Sequence, residues 1–277
     1  MTAPTILQKI VATKHQEIAT AKAQVSLDEL KQKIHHASET RGFAKALQAV
    51  PVKDGKIGVI SEIKKASPSK GIICHHFDPV ATAQSYERAG ATCLSVLTDV
   101  QYFQGCDEYL IGAKNACALP VLRKDFMVDE YHIWQSRALG ADCILLIMAC
   151  LDDGTVSKLH SLAIELGMDV LIEIHTQDEL RRALMLPKSP HNIYGINNRD
   201  LNTFKVDLSH SIRLCQELFA KLGDDTLVVS ESGINHADDI HLMQNNNIHH
   251  FLIGEQFMRT DDAGQALAKL LNDVQMT

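Results

Sequence analysis

The chain has 277 residues, 45% hydrophobic and 22% charged, which is enough apolar content for a large core and the composition of an ordinary globular protein. Its formal charge of -7 comes with no basic block and no stripe of Lys and Arg interleaved with aromatics, so no nucleic-acid partner is expected. The longest apolar runs, such as CILLIMACL, fall far short of the roughly 18 residues that span a bilayer, and no membrane association is expected either.

Residues 1 to about 50 place Ile6, Leu7, Ile10, Val11 and Ile18 close to helical spacing, which predicts an N-terminal helical extension packed on the rest of the chain. The opening MTAPTILQKIVATKHQEIA carries Lys9, Lys14, His15 and Glu17 through its apolar positions. It therefore lacks the uninterrupted apolar region of a signal peptide, and a cytoplasmic location is expected. The seven cysteines are odd in number and scattered, as reduced thiols would be.

Strand-like runs then come at IGVISEI (57–63), within AGATCLSVLTD (89–99), at PVLRKDF (120–126), within LGADCILLIMA (139–149) and LGMDVLIEIHT (166–176), and at NIYGINN (192–198), TLVVSES (226–232) and HHFLIGE (249–255). Three of these segments can be laid over one another: each puts Gly where a helix would end and then runs apolar, as suits a strand buried on both faces. Between the strands lie helical stretches. Asp78-Pro79, for example, opens an apolar spacing of Val80, Ala83 and Tyr86, with Asp as cap and Pro in the first turn. The strands recur every 23 to 35 residues or so, about the length of a βα unit. Eight such units in roughly 230 residues predict an α/β fold, a closed (β/α)8 TIM barrel with an N-terminal helical extension. No low-complexity linker divides the chain, so residues 1–277 are expected to form one barrel domain with 1–50 as its extension. The competing open, doubly wound sheet would show a glycine-rich fingerprint after the first strand, where this chain has KKASPSKG.

In a barrel, catalytic groups sit at the C-terminal ends of strands, and side chains two apart on a strand share a face. Glu62 and Lys64 meet both conditions, and Lys124, Glu173, Asn197, Arg199, Glu231 and Ser232 fall at other strand ends. Any one of these alone reads as solvated or as half of a structural ion pair. Charged residues gathered at several strand ends of one barrel mouth read differently, as a site. Lys65 and Arg123 alternate to the opposite face and are as readily structural. The paired histidines His75/His76 and His249/His250 have no third ligand at metal spacing, so no metal is expected. His175, directly after Ile174, is open between site and scaffold. Trp134 is expected on a helix packed outside the barrel. In SESGI and LIGE, Gly233 and Gly254 directly follow the last two strands, where backbone N–H groups and the start of a short helix at Glu255 can cradle a phosphate.

Taken together, the chain resembles the indole-3-glycerol-phosphate synthase family. The resemblance rests on TILQKIVATK, SEIKKASPSKG, FDP, LSVLTD with YFQG after it, LRKDFMVDEYHI, LGADCILLI, LIEIH, GINNRDL, SESGI and FLIGEQFMR, in that order and over nearly the whole chain. It departs from the family's usual pattern at His75 and His76 in GIICHHFDP. The resemblance implies ring closure of 1-(2-carboxyphenylamino)-1-deoxyribulose 5-phosphate to indole-3-glycerol phosphate, with loss of carbon dioxide and water and no cofactor. It assigns Lys124 as general acid, with Lys64, Glu62 and Glu173 available for the dehydration, and burial beside a cationic neighbour would be expected to lower the pKa of Lys124. Asn197, Arg199 and Ser232 would bind the substrate's hydroxyls, carboxylate or phosphate, with Ser67 and Glu231 also at the substrate. Lys64, Gly233, Gly254 and Glu255 would hold the phosphate. Phe103, Leu145 and Leu146 would grip the anthranilate ring. The expected partner is a small phosphorylated substrate, and the expected assembly a monomer. Two alternatives share the phosphate cradle: a phosphoribosyl isomerase on the same fold, and a non-catalytic barrel that binds a phosphorylated ligand.

Overall fold

The computed structural model describes residues 5–35, 37–200 and 205–276. Residues 1–4 and 36 of the expected extension, and Leu201 of the GINNRDL motif, lie outside them. Eight parallel strands close on themselves in the order β1-β8-β7-β6-β5-β4-β3-β2. They are β1 (Gly58–Ile63), β2 (Cys93–Leu97), β3 (Val121–Lys124), β4 (Cys143–Ile147), β5 (Asp169–Ile174), β6 (Asn192–Asn197), β7 (Val228–Glu231) and β8 (His250–Ile253). All eight fall on the runs expected from the sequence. Closure explains why those runs are apolar on both faces: inward residues such as Ile60, Leu122, Leu145, Leu171, Ile193 and Val229 form one buried cluster, while outward residues meet the surrounding helices.

The helices start where their caps say they should. α4 (Pro79–Ala89) begins at Asp78, whose carboxylate accepts from the Val80 and Ala81 N–H groups, and α7 (Asp153–Glu165) begins at Asp152, which accepts from Thr155 N–H. α6 (Glu130–Ala138) carries Trp134, partly buried against the outer core, with the Lys31 ammonium 5.2 Å above its ring. No helix among the described residues is long and apolar enough to cross a membrane.

The N-terminal segment forms three helices, α1 (Ile6–Gln24), α2 (Leu27–His35) and α3 (Phe43–Gln48). α3 closes the N-terminal end of the barrel: Phe43 and Leu47 are fully buried in the interior cluster. The Ala44 N–H donates to Asp169 Oδ2 at 2.9 Å at the start of β5. α1 lies toward the other end. Its buried stripe is Ile10, Lys14 and Ile18, and Lys14 Nζ reaches Asp99 Oδ2 at 3.0 Å and Asp125 Oδ1 at 2.8 Å, just past the ends of β2 and β3. After β1 the chain does more than turn: Ala66–Ser67 pairs antiparallel with Gly71–Ile72 in a short hairpin.

Candidate active site

Parallel register aligns the strand ends into one layer. Leu97 lies beside Lys124, Ile147 beside Glu173 and Asn197 beside Glu231. Period-two alternation then turns Glu62, Lys124, Glu173, Asn197 and Glu231 into the mouth.

Lys124 stands at the centre of this layer. Its Nζ donates to Glu231 Oε2 at 2.8 Å and lies 3.7 Å from Glu173 Oε2. Lys64 donates to Glu62 Oε1, so the two residues of SEIK form an ion pair on one face of the first strand end. The Asn197 amide donates to Glu173 Oε1 at 3.2 Å, and Asn197 Oδ1 accepts from the Arg199 backbone N–H at 3.0 Å. Four strand ends, those of β3, β5, β6 and β7, are thereby linked. Two glycines make room for the carboxylates. A Cβ on Gly254 would lie 2.6 Å from Glu62 Oε1, and one on Gly195, on the inner face of β6, would overlap Glu231 Oε1.

The protonation pattern comes from who neighbours whom. Burial pushes the Glu62 pKa up, but Lys64 and Lys124 outweigh it and hold the carboxyl below its usual range. Burial drives Lys124 down, yet Glu231, Glu173 and Glu62 together raise it well above a free lysine. The expected lowering of this lysine is thus reversed: the neighbours that count are three carboxylates, not a cation. Glu173 is held down, burial being outweighed by His175 and Lys124. Glu231 is raised, by burial and by the negative Glu173, against the pull of Lys124.

Of the remaining expected site residues, Leu145 faces the barrel interior. Leu146 faces outward into the helical layer, so the adjacent pair cannot grip one ring together. Ile147, on the same face as Leu145, is the β4 residue at the level of Glu173. Phe103 is half-buried beside Phe126, with ring centroids 6.2 Å apart. Arg199 pairs with Glu255 at 3.3 Å, and Arg259 takes the other Glu255 oxygen. The Glu255 side chain is therefore committed to arginines, and only its backbone N–H is left for an anion. The Ser67 hydroxyl is buried without a hydrogen-bond partner. Ser232 and Gly233 both adopt positive φ, 67° and 84°, which turns the chain sharply as it leaves β7.

Four residues outside the charged strand-end set matter here, one of them His175, which the sequence leaves open between site and scaffold. Phe126, two residues past Lys124, shares its parity. Asn198 is buried and donates to Ser230 Oγ at 2.9 Å, Glu231 O at 3.1 Å and Ser232 O at 3.0 Å, fixing the end of β7. Lys14 ties α1 to the loops after β2 and β3 through Asp99 and Asp125, and Asp99 Oδ1 also accepts from the Tyr102 and Phe103 N–H groups. His175 approaches Glu173. Arg123, in contrast, is scaffold: it is buried and bonded to Thr98, Gln135, Ser136 and Asp107 outside the barrel.

Comparison with known proteins gives a consistent result. A family model described as indole-3-glycerol phosphate synthase matches residues 7–270. A protein of Leptothrix cholodnii named indole-3-glycerol phosphate synthase is 52% identical over 265 residues, covering 96% of this chain and 98% of that one. Among solved structures, a tryptophan synthase subunit alpha from Legionella pneumophila superposes with a TM-score of 0.60 at 12% identity, covering 86% of this chain and 98% of that one. A thiamine phosphate pyrophosphorylase from Pyrococcus furiosus gives 0.59 at 12% identity, with 81% and 98% coverage. At that identity these two speak for the barrel fold alone.

Proposed function

The chain belongs to the indole-3-glycerol phosphate synthase family, and from that premise we propose how its own residues divide the reaction. The enzyme is a carboxy-lyase of tryptophan biosynthesis that closes the indole ring of 1-(2-carboxyphenylamino)-1-deoxyribulose 5-phosphate with loss of carbon dioxide and water. Closure needs a proton delivered to the ketone oxygen while the aromatic carbon attacks, and Lys124 takes that role. Three buried acids around it hold it charged. A substrate carbonyl taking over its hydrogen bond from Glu231 would remove the nearest of them and let burial bring the ammonium back toward donating its proton. Glu173, kept ionised, is the base for the carbon-bound proton in dehydration. Lys64, oriented by Glu62 until substrate arrives, serves the leaving hydroxyl or the phosphate.

Backbone N–H groups at Gly233, Gly254 and Glu255 receive the phosphate together with Lys64. Asn197, Arg199, Ser232, Ser67 and Glu231 hold the sugar hydroxyls and the carboxylate. Phe103, Phe126, Leu145 and Ile147 supply the apolar wall for the ring. The observation that carries this reading is the Lys124 ammonium at the centre of Glu231, Glu173 and Glu62. Such an arrangement commits a charge where a carbonyl oxygen must become a hydroxyl.

We further infer that residues 1–277 work as one barrel domain, as a monomer in the cytoplasm without nucleic acid. The free cysteines and the net charge of -7 support this. Incubating the purified protein with the carboxyphenylamino substrate tests the activity: indole fluorescence appears in the parent and fails to appear with Glu173→Gln. Full turnover in that variant would remove Glu173 from the mechanism.

A further inference from the structure

Lys124 has two buried carboxylates on it, Glu173 from β5 and Glu231 from β7. Glu231 is the nearer, at 2.8 Å against 3.7 Å. If Lys124 alone decided, Glu231 would be the more firmly ionised of the two. The surroundings point the other way. Glu231 Oε1 has no partner, whereas Glu173 Oε1 receives the Asn197 amide at 3.2 Å and lies 3.2 Å from His175 Nε2, a charge contact without hydrogen-bond alignment. His175 is buried, and its other ring nitrogen, Nδ1, lies 3.4 Å from Glu179 Oε2.

The carboxylate of Glu179 comes from an altered helix cap. α8 (Gln177–Ala183) starts at Thr176, whose hydroxyl accepts from the Glu179 N–H. In an ordinary capping box the third-position Glu would turn back to the N–H of the cap residue itself. Here it turns back one residue further, accepting from the His175 N–H at 2.7 Å, which places the same carboxylate against the imidazole. A buried imidazole between two carboxylates is stable as the cation.

We propose that the His175 imidazolium, held between Glu173 and Glu179, decides which of the two carboxylates on Lys124 carries a proton: Glu173 stays ionised and Glu231 takes the proton. The inference rests on Glu173 acting as the base, and in it His175 is a positioning residue that touches no reacting atom. The balance is simple: one proton moves between solvent and Glu231, and none resides on Glu173 in the working pH range. The direction of the shifts agrees with the geometry. Glu173 is lowered, Glu231 raised, and His175 raised to about 10 because Glu173 and Glu179 outweigh its burial.

Other charged groups around the trio are accounted for. From the barrel, Lys124 and Glu62 act on both carboxylates. Cys150, after β4, is a neighbour of Glu173 and Glu179 and is kept a thiol by burial and by those two charges. On the other side His175 borders a cavity of about 430 Å³, also lined by Arg199, Asp200, Lys205, Asp207 and His210. His210 Nε2 bonds the His175 carbonyl.

The test is where the proton sits. In protein with 13C-labelled Glu side chains, assigned with Glu173→Gln and Glu231→Gln, the parent should titrate at Glu231 and leave Glu173 ionised between pH 5 and 8. In His175→Gln, protonation should move onto Glu173, and the acid limb of kcat should rise by at least about one pH unit. A Glu173 carboxylate that stays ionised in folded His175→Gln, with an unmoved acid limb, overturns the proposal. So does a His175 ring that 15N shifts show to be neutral at pH 7 in the parent. If His175→Gln fails to fold, Glu179→Gln carries the test: the ring should then lose its proton at least about one unit lower, and a ring titrating as in the parent overturns the proposal. Unimpaired turnover in Glu173→Gln would instead refute Glu173 as base while the 13C titration still reported the proton's place.

Discussion

At the closed end of the barrel, Asp142 has both oxygens occupied. Oδ1 accepts from the Arg41 N–H at 2.7 Å and from Lys114 Nζ at 2.5 Å, and Oδ2 from the Val121 N–H at 2.7 Å. Asp169 beside it is matched in the same way, by the Ala44 N–H at 2.9 Å and His191 Nδ1 at 2.7 Å. At the open mouth the carboxylates are equally buried but less fully bonded: Glu231 Oε1 has no partner, and the Lys124 ammonium is shared between Glu231 and Glu173. A saturated buried charge is scaffold, because every lone pair it brought inside is answered by the fold. A buried charge left short of partners costs stability and has a reason to persist only where substrate completes it. If this contrast is sound, equal insults at the two ends should be read out in different quantities.

The largest effect is expected at Lys124. Lys124→Ala should lower turnover by about 10³-fold while substrate binding changes little, since the proton is delivered only in the transition state. Circular dichroism should show the fold intact. A rate within a few-fold of the parent would break the comparison at its centre. The mirror experiment at the closed end is Asp142→Ala, which strands buried Lys114 and the Arg41 and Val121 N–H groups. It should cost about 3–5 kcal/mol in denaturant unfolding and leave kcat of the folded fraction unchanged. A lost rate without lost stability would erase the distinction between the ends.

How far the two ends could be read from sequence also differs. The strands were legible throughout because a strand of a closed parallel barrel is buried on both sides and reads as an apolar run behind a helix-ending glycine, as in LGADCILLI. The mouth was legible wherever a polar residue interrupted that run, which is how Glu62, Lys124, Glu173, Asn197 and Glu231 stand out. In β4 nothing polar marks the inner face, so Leu145 and Leu146 look alike although only Leu145 points inward. The role of Lys14 is not legible in its own helix because its partners, Asp99 and Asp125, lie in loops far along the chain. The charge state of Lys124 was hidden for the same reason, since it depends on acids from three other strands. For His175 a signal existed: it has the parity of Glu173 and precedes a T-x-x-E cap.

The next prediction sharpens the comparison within the mouth. Glu62→Gln and Lys64→Ala should each remain folded and lose about 10²-fold in single-turnover rate. The double variant should be scarcely worse than the poorer single, because the two act as one unit. Additive losses, or a melting temperature low enough to explain the missing rate, would make the pair scaffold like Asp142.

The smallest effect at working pH is expected at His250, which heads β8 at the closed end. Its Nε2 donates to the Leu47 carbonyl of α3 at 3.0 Å, and Gly58 leaves space for the ring, since a Cβ there would lie 2.5 Å from its Cδ2. Burial depresses the imidazole pKa from 6.5 to about 4. The folded chain thus refuses a proton that the unfolded chain accepts between those values, so the neutral ring's contribution is whole above pH 6.5 and is lost as pH falls toward 4. By pH 5 the loss is about 2 kcal/mol. His250→Gln keeps a donor for Leu47 but cannot take up a proton. The gap in unfolding free energy between parent and variant should therefore be constant above pH 7 and shift in the variant's favour by that amount at pH 5, with kcat at pH 7.5 the same in both. A gap that does not change with pH would mean that the closed end tolerates the charged ring. The saturated end of the barrel would then be no more selective about charge than the mouth.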